Sequence, residues 1–307
     1  MQLTNDPITA LPSRLLTGDA AIYRENFNRR PFICRHSLAD HPLFQVPRLL
    51  ELGRSLAANS GEVWFDSGKA DIGQRWDEMP VSGFNTAIEP AVIENMIRRI
   101  ETANAWVVIR HAELDPEYKL ILDSCMAEIK ERICRDLKHE MKVQHAIIFI
   151  SSPERISSYH IDRECNFLLQ VQGSKEIHIF EQSDRTVLPE EEIERFWAVD
   201  NNAAKYKPEY QDRAKIFQLA PGNGVHIPVN APHWVKNGSE VSVSLSINFH
   251  FRDELLADIY KMNHVLRKLG MHPTPPGSSI LADAVKRTAY QGVKRAAAIK
   301  SRFSAIR

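Results

Sequence analysis

The sequence predicts an α+β fold, a barrel or sandwich of short strands with helices before and after it. Three observations carry that prediction. Between Val143 and Phe251 the runs VQHAIIFI, NFLLQV, KEIHIF, GVHIP and VSVSLSINFHF recur at roughly regular spacing, separated by clusters of Pro, Gly, Ser and Asn. Up to about residue 140 the dominant apolar spacing is instead i, i+3, i+4, the period of one helix face. Beyond Phe251 helical spacing returns in DELLADIYKMNHVLRKLG.

Taken in order, Pro47 opens the helix PRLLELGRSLAAN, because a first-turn proline gives up no hydrogen bond. Pro90 opens a second helix whose Val92, Ile93, Met96, Ile97 and Ile100 share one face. Ala105 to Arg110, AWVVIR, is short, apolar and β-branched, which suits a buried strand. Asp115 followed by Pro116 is an N-cap and first-turn pair. Leu122, Cys125, Met126, Ile129 and Ile133 then stripe a third helix expected to end near Lys138. Residues 194–214, ERFWAVDNNAAKYKPEYQDRA, interrupt the strands with polar and aromatic residues and predict an excursion or lid-like loop. Gly270 closes the helix after Phe251, HPTPPGSS breaks the pattern, and a basic helix begins near Ile280. Residues 1–251 are thus expected to form one domain and residues 252–307 a helical extension.

A chain of 307 residues with 43% hydrophobic content can bury a substantial core. Lys+Arg and Asp+Glu both number 39, so no net field draws the protein to nucleic acid or an anionic membrane. The start MQLTNDPITALPSRLLTGD lacks the basic and apolar regions of a secretory signal, and no run of 18 apolar residues follows, so a cytoplasmic protein is expected. Cys34, Cys125, Cys134 and Cys165 have no CxxC spacing, which argues against a zinc ribbon, a redox pair or a disulfide framework.

The chemistry concentrates in SSYHIDRECNFLLQVQGSKEIHIF, residues 157–180. Side chains alternate along a strand, so His160 and Asp162 are expected on one face, able to bind one metal ion together. A second imidazole from a distant strand would complete the two-histidine, one-carboxylate arrangement that holds non-haem iron(II) with open positions for substrate and O2. His233, in GNGVHIPVNAPHWVKNG, is the candidate.

The order H-x-D, Asn166 four residues after Asp162, the turn Gly173-Ser174 with Lys175, then GxxxxIPxxxxHxVxN and INF with Asn248, resembles the JmjC-like 2-oxoglutarate oxygenases. In motif it is closest to protein hydroxylases of the factor-inhibiting-HIF type. The resemblance is specific over about residues 143–251, looser over NFNRRPFICRHSLADHPLF, and fades in the C-terminal helices. It implies a double-stranded β-helix (jelly-roll, cupin) core. It also implies that His160, Asp162 and His233 bind Fe(II), that Lys175 pairs with the distal carboxylate of 2-oxoglutarate, and that Asn166, Asn248 and Ser157 make polar contacts to that co-substrate. A dicarboxylate buried in a barrel needs a cation and donors to offset its desolvation. In VSVSLSINFHF the odd positions Val241 to Phe249 are apolar and the even positions Ser242 to His250 polar, so one face packs and, in this family, the other lines the active site. His226 and His250 stand where the family often has aromatic residues; His226 is read as a core histidine bonded to backbone, and Trp234 as a packing residue.

The implied reaction couples oxidation of a substrate C–H, usually hydroxylation, to conversion of 2-oxoglutarate and O2 into succinate; desaturation or demethylation use the same chemistry. The substrate, an unidentified protein or small molecule, is not legible, and the 194–214 segment is where its recognition is expected. Two alternatives differ in class: a cupin metalloenzyme without 2-oxoglutarate, separable by succinate formation, and a non-catalytic cupin binding module, disfavoured by three intact ligands. The acid-free basic stretch 284–307 is read as structural rather than as a nucleic-acid contact, and a homodimer through residues 253–270 is expected from Leu255, Leu256, Ile259, Met262, Leu266 and Leu269.

Overall fold

Aspartate side chains, those of Asp19 and Asp115, cap two helices in the N-terminal part of the computed structural model, which describes residues 12–59, 62–75, 78, 81–82, 88–135, 141–251 and 254–304. Strand β1 (Leu16–Thr17) leads into helix α1 (Ala20–Asn26), where the Asp19 carboxylate accepts from the Ala21 N–H as an N-cap. Strand β2 (Phe32–His36), helix α2 (Val46–Asn59), the strands β3 (Val63–Ser67) and β4 (Val81–Ser82), and helix α3 (Pro90–Arg98) follow. The AWVVI run is β5 (Ala105–Ile109), buried at every position. Helix α4 (Pro116–Ile133) is capped by Asp115 as expected but stops before Lys138, because Cys134 adopts a left-handed conformation (φ 52°) that ends the helix; residues 136–140 lie outside the described residues.

The second half contains β6 (Met141–Ser151), β7 (Ile156–His160), β8 (Cys165–Gln172), β9 (Lys175–Ile179), helix α5 (Glu190–Ala198), β10 (Lys215–Leu219), β11 (Asn223–Ile227), β12 (His233–Asn237) and β13 (Ser242–Phe251). These strands divide between a nine-stranded sheet, β1-β2-β11-β8-β13-β6-β5-β3-β4, and a four-stranded sheet, β10-β9-β12-β7. All strand pairs are antiparallel. Within β6 to β13, the quartet β6-β13-β8-β11 faces β7-β12-β9-β10, which is the jelly roll, or double-stranded β-helix, that the resemblance implied. The turn from β8 to β9 uses Gly173 (φ 68°), where an added Cβ would lie 2.3 Å from the Val241 carbonyl oxygen, so only glycine fits there.

Strand β13 divides its faces as its alternation predicted. Val243, Leu245, Ile247 and Phe249 enter the main core with Phe167 of β8 and with Tyr23, Ile121 and Met126 of the N-terminal helices. The opposite face points into the barrel, where Ser246, Asn248 and His250 line a cavity. Deeper in, Ser244 donates to Gln170 Oε1 (2.7 Å) and the Gln170 amide donates to Ser242 Oγ (3.0 Å), so these buried polar groups satisfy one another.

The 194–214 segment is the expected excursion between β9 and β10, only partly loop, and its Phe196 and Asn201 line the barrel cavity. Its first residues belong to α5, and Pro208–Arg213 forms a 3-10 helix on the outer face of the smaller sheet. There Gln211 accepts from Trp234 Nε1 (3.1 Å) and Tyr206 Oη (2.9 Å) and bonds the His178 ring (2.9 Å). Trp234 stacks on His178 with ring centroids 3.8 Å apart, the packing role read from sequence. Amphipathic helices hide such anchors from a polarity-based reading, since α5 shows only Ile193, Glu194 and Phe196 buried.

Helices α6 (Glu254–Lys268) and α7 (Ile280–Ser304) complete the chain. Arg267 of α6 pairs with the buried Glu194 of α5. Lys294 of α7 pairs with the buried Asp258 of α6 at 2.7 Å, and Lys286 donates to the Thr274 carbonyl at 2.6 Å, so part of the basic stretch holds the helices together. Among the described residues no helix is long and apolar enough to cross a membrane.

Candidate metal centre

Strand pairing creates the centre. The antiparallel register of β7 and β12 sets His233 directly opposite His160, with ring centroids 4.2 Å apart. Asp162 lies two residues beyond the end of β7, yet the expected alternation holds: His160 and Asp162 meet at the centre while Ile161 between them packs with Leu188 and Ile193. The Asp162 carbonyl accepts the Asn230 N–H (2.9 Å), which ties this segment to the loop leading into His233. Asp162 Oδ1 lies 3.9 Å from His160 Nε2, and Oδ2 lies 3.6 Å from His233 Nε2. One ligand atom from each residue falls within 4.8 Å of the others, a span one ion can bridge.

Backbone contacts fix which nitrogens are offered. His160 Nδ1 lies 2.7 Å from the Ser158 carbonyl oxygen and His233 Nδ1 lies 2.9 Å from that of Ala231. A carbonyl only accepts, so each Nδ1 carries the proton and each Nε2 presents a lone pair to the centre. Burial, then repulsion from His160, holds the His233 pKa well below the ordinary imidazole value and keeps the ring neutral. Burial raises the Asp162 pKa, with Glu164 adding to the rise and His160 and His250 opposing it. Two imidazoles and a carboxylate are a donor set suited to a divalent first-row cation, and the residues present fit iron(II).

The centre opens into a cavity of about 410 Å³ that also contains Lys175, Asn166, Asn248 and Ser157, so every site residue named from sequence meets one space. Asn166 and Asn248 are directly opposed across β8 and β13, and the Asn248 amide is held by the Ser246 carbonyl at 3.2 Å. Ser157 is opposed to Val235 on β12. Lys175 pairs in register with Asn237, four residues from the His233–Ile179 pair, or roughly 13 Å of strand from the imidazoles. Its side chain is 5% exposed, and among the described residues no carboxylate partners its ammonium. Burial alone lowers its pKa to about 7.

Several residues at the mouth escaped the sequence reading. Glu164, two positions beyond Asp162, bonds His250 Nε2 at 2.9 Å and lies 3.5 Å from His145 Nε2. Burial works against its charge, but the bonds and charges of His145 and His250 outweigh that and hold its pKa at about 2. Its place in the HIDRE run was the available signal. Trp64, Trp106 and Phe149, from β3, β5 and β6, form one apolar wall, with Trp106 stacked on Phe149 at 5.6 Å. Nothing in the sequence alone says that β5 pairs with β6 and extends the barrel face outward. His226 lies away from the centre: Nδ1 bonds the Asn166 carbonyl (3.0 Å), Nε2 accepts the Asn28 N–H (2.9 Å), and burial takes its pKa to about 3, so it is the core histidine anticipated.

A family model described as a cupin-like domain matches residues 24–255. Among curated proteins, HSPB1-associated protein 1 from Rattus norvegicus is 29% identical over 125 residues, covering 38% of this chain and 26% of that protein. The Mus musculus protein of the same name gives the same identity and coverage. The chain therefore matches about a quarter of the length of these relatives. Among solved structures, the Escherichia coli ribosomal oxygenase YcfD in complex with cobalt and 2-oxoglutarate aligns with a TM-score of 0.48 at 15% identity, over 91% of this chain and 66% of that one. A further structure of YcfD from Escherichia coli aligns with a TM-score of 0.46 at 14% identity, with the same coverage.

Proposed function

The chain belongs to the cupin-like family, and from that premise we propose that it is an Fe(II)- and 2-oxoglutarate-dependent oxygenase, most simply a hydroxylase of an unactivated C–H in a protein or small-molecule substrate. The observation that carries the reading is Lys175. A buried ammonium with no carboxylate partner among the described residues is costly unless something else in the cavity is anionic. A dicarboxylate that meets the metal with one end and Lys175 with the other supplies that charge. A cupin that binds only metal gives this lysine nothing to pair with, which disfavours the reading without 2-oxoglutarate.

Bound iron, with 2-oxoglutarate and O2, supplies C–H oxidation in which one oxygen atom enters succinate, the other enters the product, and CO2 leaves. The protein's residues prepare for it. His160 and His233 hold their Nε2 lone pairs toward one point because their Nδ1 protons are committed to backbone carbonyls. Lys175 orients the co-substrate from its far end, and Asn166, Asn248 and Ser157 offer neutral polar contacts along the way. Trp64, Trp106 and Phe149 give the cavity an apolar wall that excludes water.

The test is a turnover assay with candidate substrates, iron and 2-oxoglutarate, read as succinate. Succinate formation that depends on iron and is lost in His160→Ala and Asp162→Ala supports the reading. Metal and 2-oxoglutarate binding that both survive in those two variants would refute it. For assembly we infer a homodimer through the C-terminal helices, where Leu256, Leu269, Ile280 and Leu281 remain exposed while Ile259 and Tyr260 are buried within the chain.

A further inference from the structure

Asp162 lies just beyond the end of β7 and His233 opens β12, and one side chain joins the segments beside them to the C-terminal helices. Asn230 occupies the turn before His233 with a left-handed backbone (φ 59°), a conformation asparagine tolerates better than most residues. Its N–H holds the Asp162 carbonyl at 2.9 Å, and its neighbour Ala231 supplies the carbonyl that fixes the His233 tautomer. The Asn230 side chain is buried, and its Oδ1 accepts from Trp197 Nε1 at 3.0 Å.

Trp197 lies at the C-terminal end of α5. Its ring stacks on Tyr260 of α6 at 6.2 Å, nearly parallel with an interplanar angle of 13°. Arg163, next in sequence to Asp162, places its guanidinium 4.4 Å from the Phe196 ring centroid and 5.6 Å from that of Trp197, and it donates to the Phe196 carbonyl. The Phe196-Trp197 pair therefore touches the Asp162 loop through Arg163 and the His233 loop through Asn230. Glu194, one turn earlier on α5, is paired with Arg267 of α6, so the pair is anchored by the extension itself.

We propose that Trp197 and Asn230 are positioning residues of the metal centre, through which the C-terminal helices set the separation of Asp162 and His233. The proposal rests on the reading of His160, Asp162 and His233 as metal ligands. Partners that orient ligands from behind typically cost 10–100-fold in metal affinity when removed. The Trp197–Asn230 bond stands one bond further back, so about tenfold, the lower end of that range, is expected.

The experiment measures Mn(II) affinity by calorimetry and the Mn(II) electron paramagnetic resonance spectrum of the full chain, for wild type, Trp197→Phe, Asn230→Gly and the double variant. Trp197→Phe keeps an aromatic ring against Tyr260 and removes the N–H together with the smaller ring of the indole. Asn230→Gly keeps the left-handed turn and the N–H to Asp162 and removes only the acceptor. Each single variant is expected to bind Mn(II) about tenfold more weakly with an altered spectrum, and the double variant to be no weaker than either, because both break one interaction. Affinities within twofold of wild type, or losses that multiply in the double variant, overturn the proposal. A wild type that binds no Mn(II) overturns the ligand assignment instead. Should Trp197→Phe fold poorly by circular dichroism, Asn230→Gly alone decides the matter.

Discussion

Replacing Lys175 by Met should make the ligand-free protein more stable and the co-substrate complex weaker. In the folded chain burial lowers the ammonium pKa from 10.5 to about 7, while in the unfolded chain it titrates normally. Between those values the unfolded state binds more protons, so this residue makes stability rise with pH from about 7 to 10.5. At or below pH 7 the whole penalty applies, a shift of about 3.5 pH units or about 5 kcal/mol at most. Met fills a similar volume without charge and removes it. The variant should therefore melt several degrees above wild type at pH 6.5 without ligand, and the difference should vanish toward pH 10. 2-Oxoglutarate reverses the order: a charge-assisted contact is worth roughly 1.5–3 kcal/mol, so Lys175→Met should weaken 2-oxoglutarate about 10- to 150-fold while Mn(II) affinity stays the same. Thermal melts across pH and calorimetric titrations check both halves. A ligand-free variant less stable than wild type at pH 6.5, or an unchanged 2-oxoglutarate affinity, would refute the reasoning.

His160→Ala and Asp162→Ala should each abolish stoichiometric Mn(II) binding, measured by calorimetry, with circular dichroism unchanged. Phe249→Ala should lose about 3–5 kcal/mol of stability in urea melts, because a fully buried ring leaves a cavity between β13 and the helices. Leu269→Glu combined with Leu281→Glu should convert a dimer into a monomer by light scattering, and a wild type that is monomeric at high concentration would remove the dimer inference.

Where the fold was legible, one period was enough. The alternation of VSVSLSINFHF gave both the packed and the lining face of β13, because a strand between a helical layer and a cavity has two different environments. The candidate ligands were legible from motif order, and the alternation that paired His160 with Asp162 carries past the end of β7, where the Asn230 N–H holds the Asp162 carbonyl. The 194–214 segment looked like loop because its anchors, Gln211 and Trp197, are single polar-edged side chains whose partners, Trp234 on β12 and Asn230 in the turn before it, lie far away in sequence. The pairing of β5 with β6, which brings Trp106 beside Phe149, is likewise a long-range contact with no local trace.

Among the described residues, the larger sheet ends on both sides in strands of two residues, β1 and β4. An edge that short offers an incoming backbone too few free N–H and C=O groups to hold a register. At the β1 end this sheet offers little for growth by strand addition, whether into a neighbouring copy or into an aggregate. Recruitment at that end must then be written in side chains.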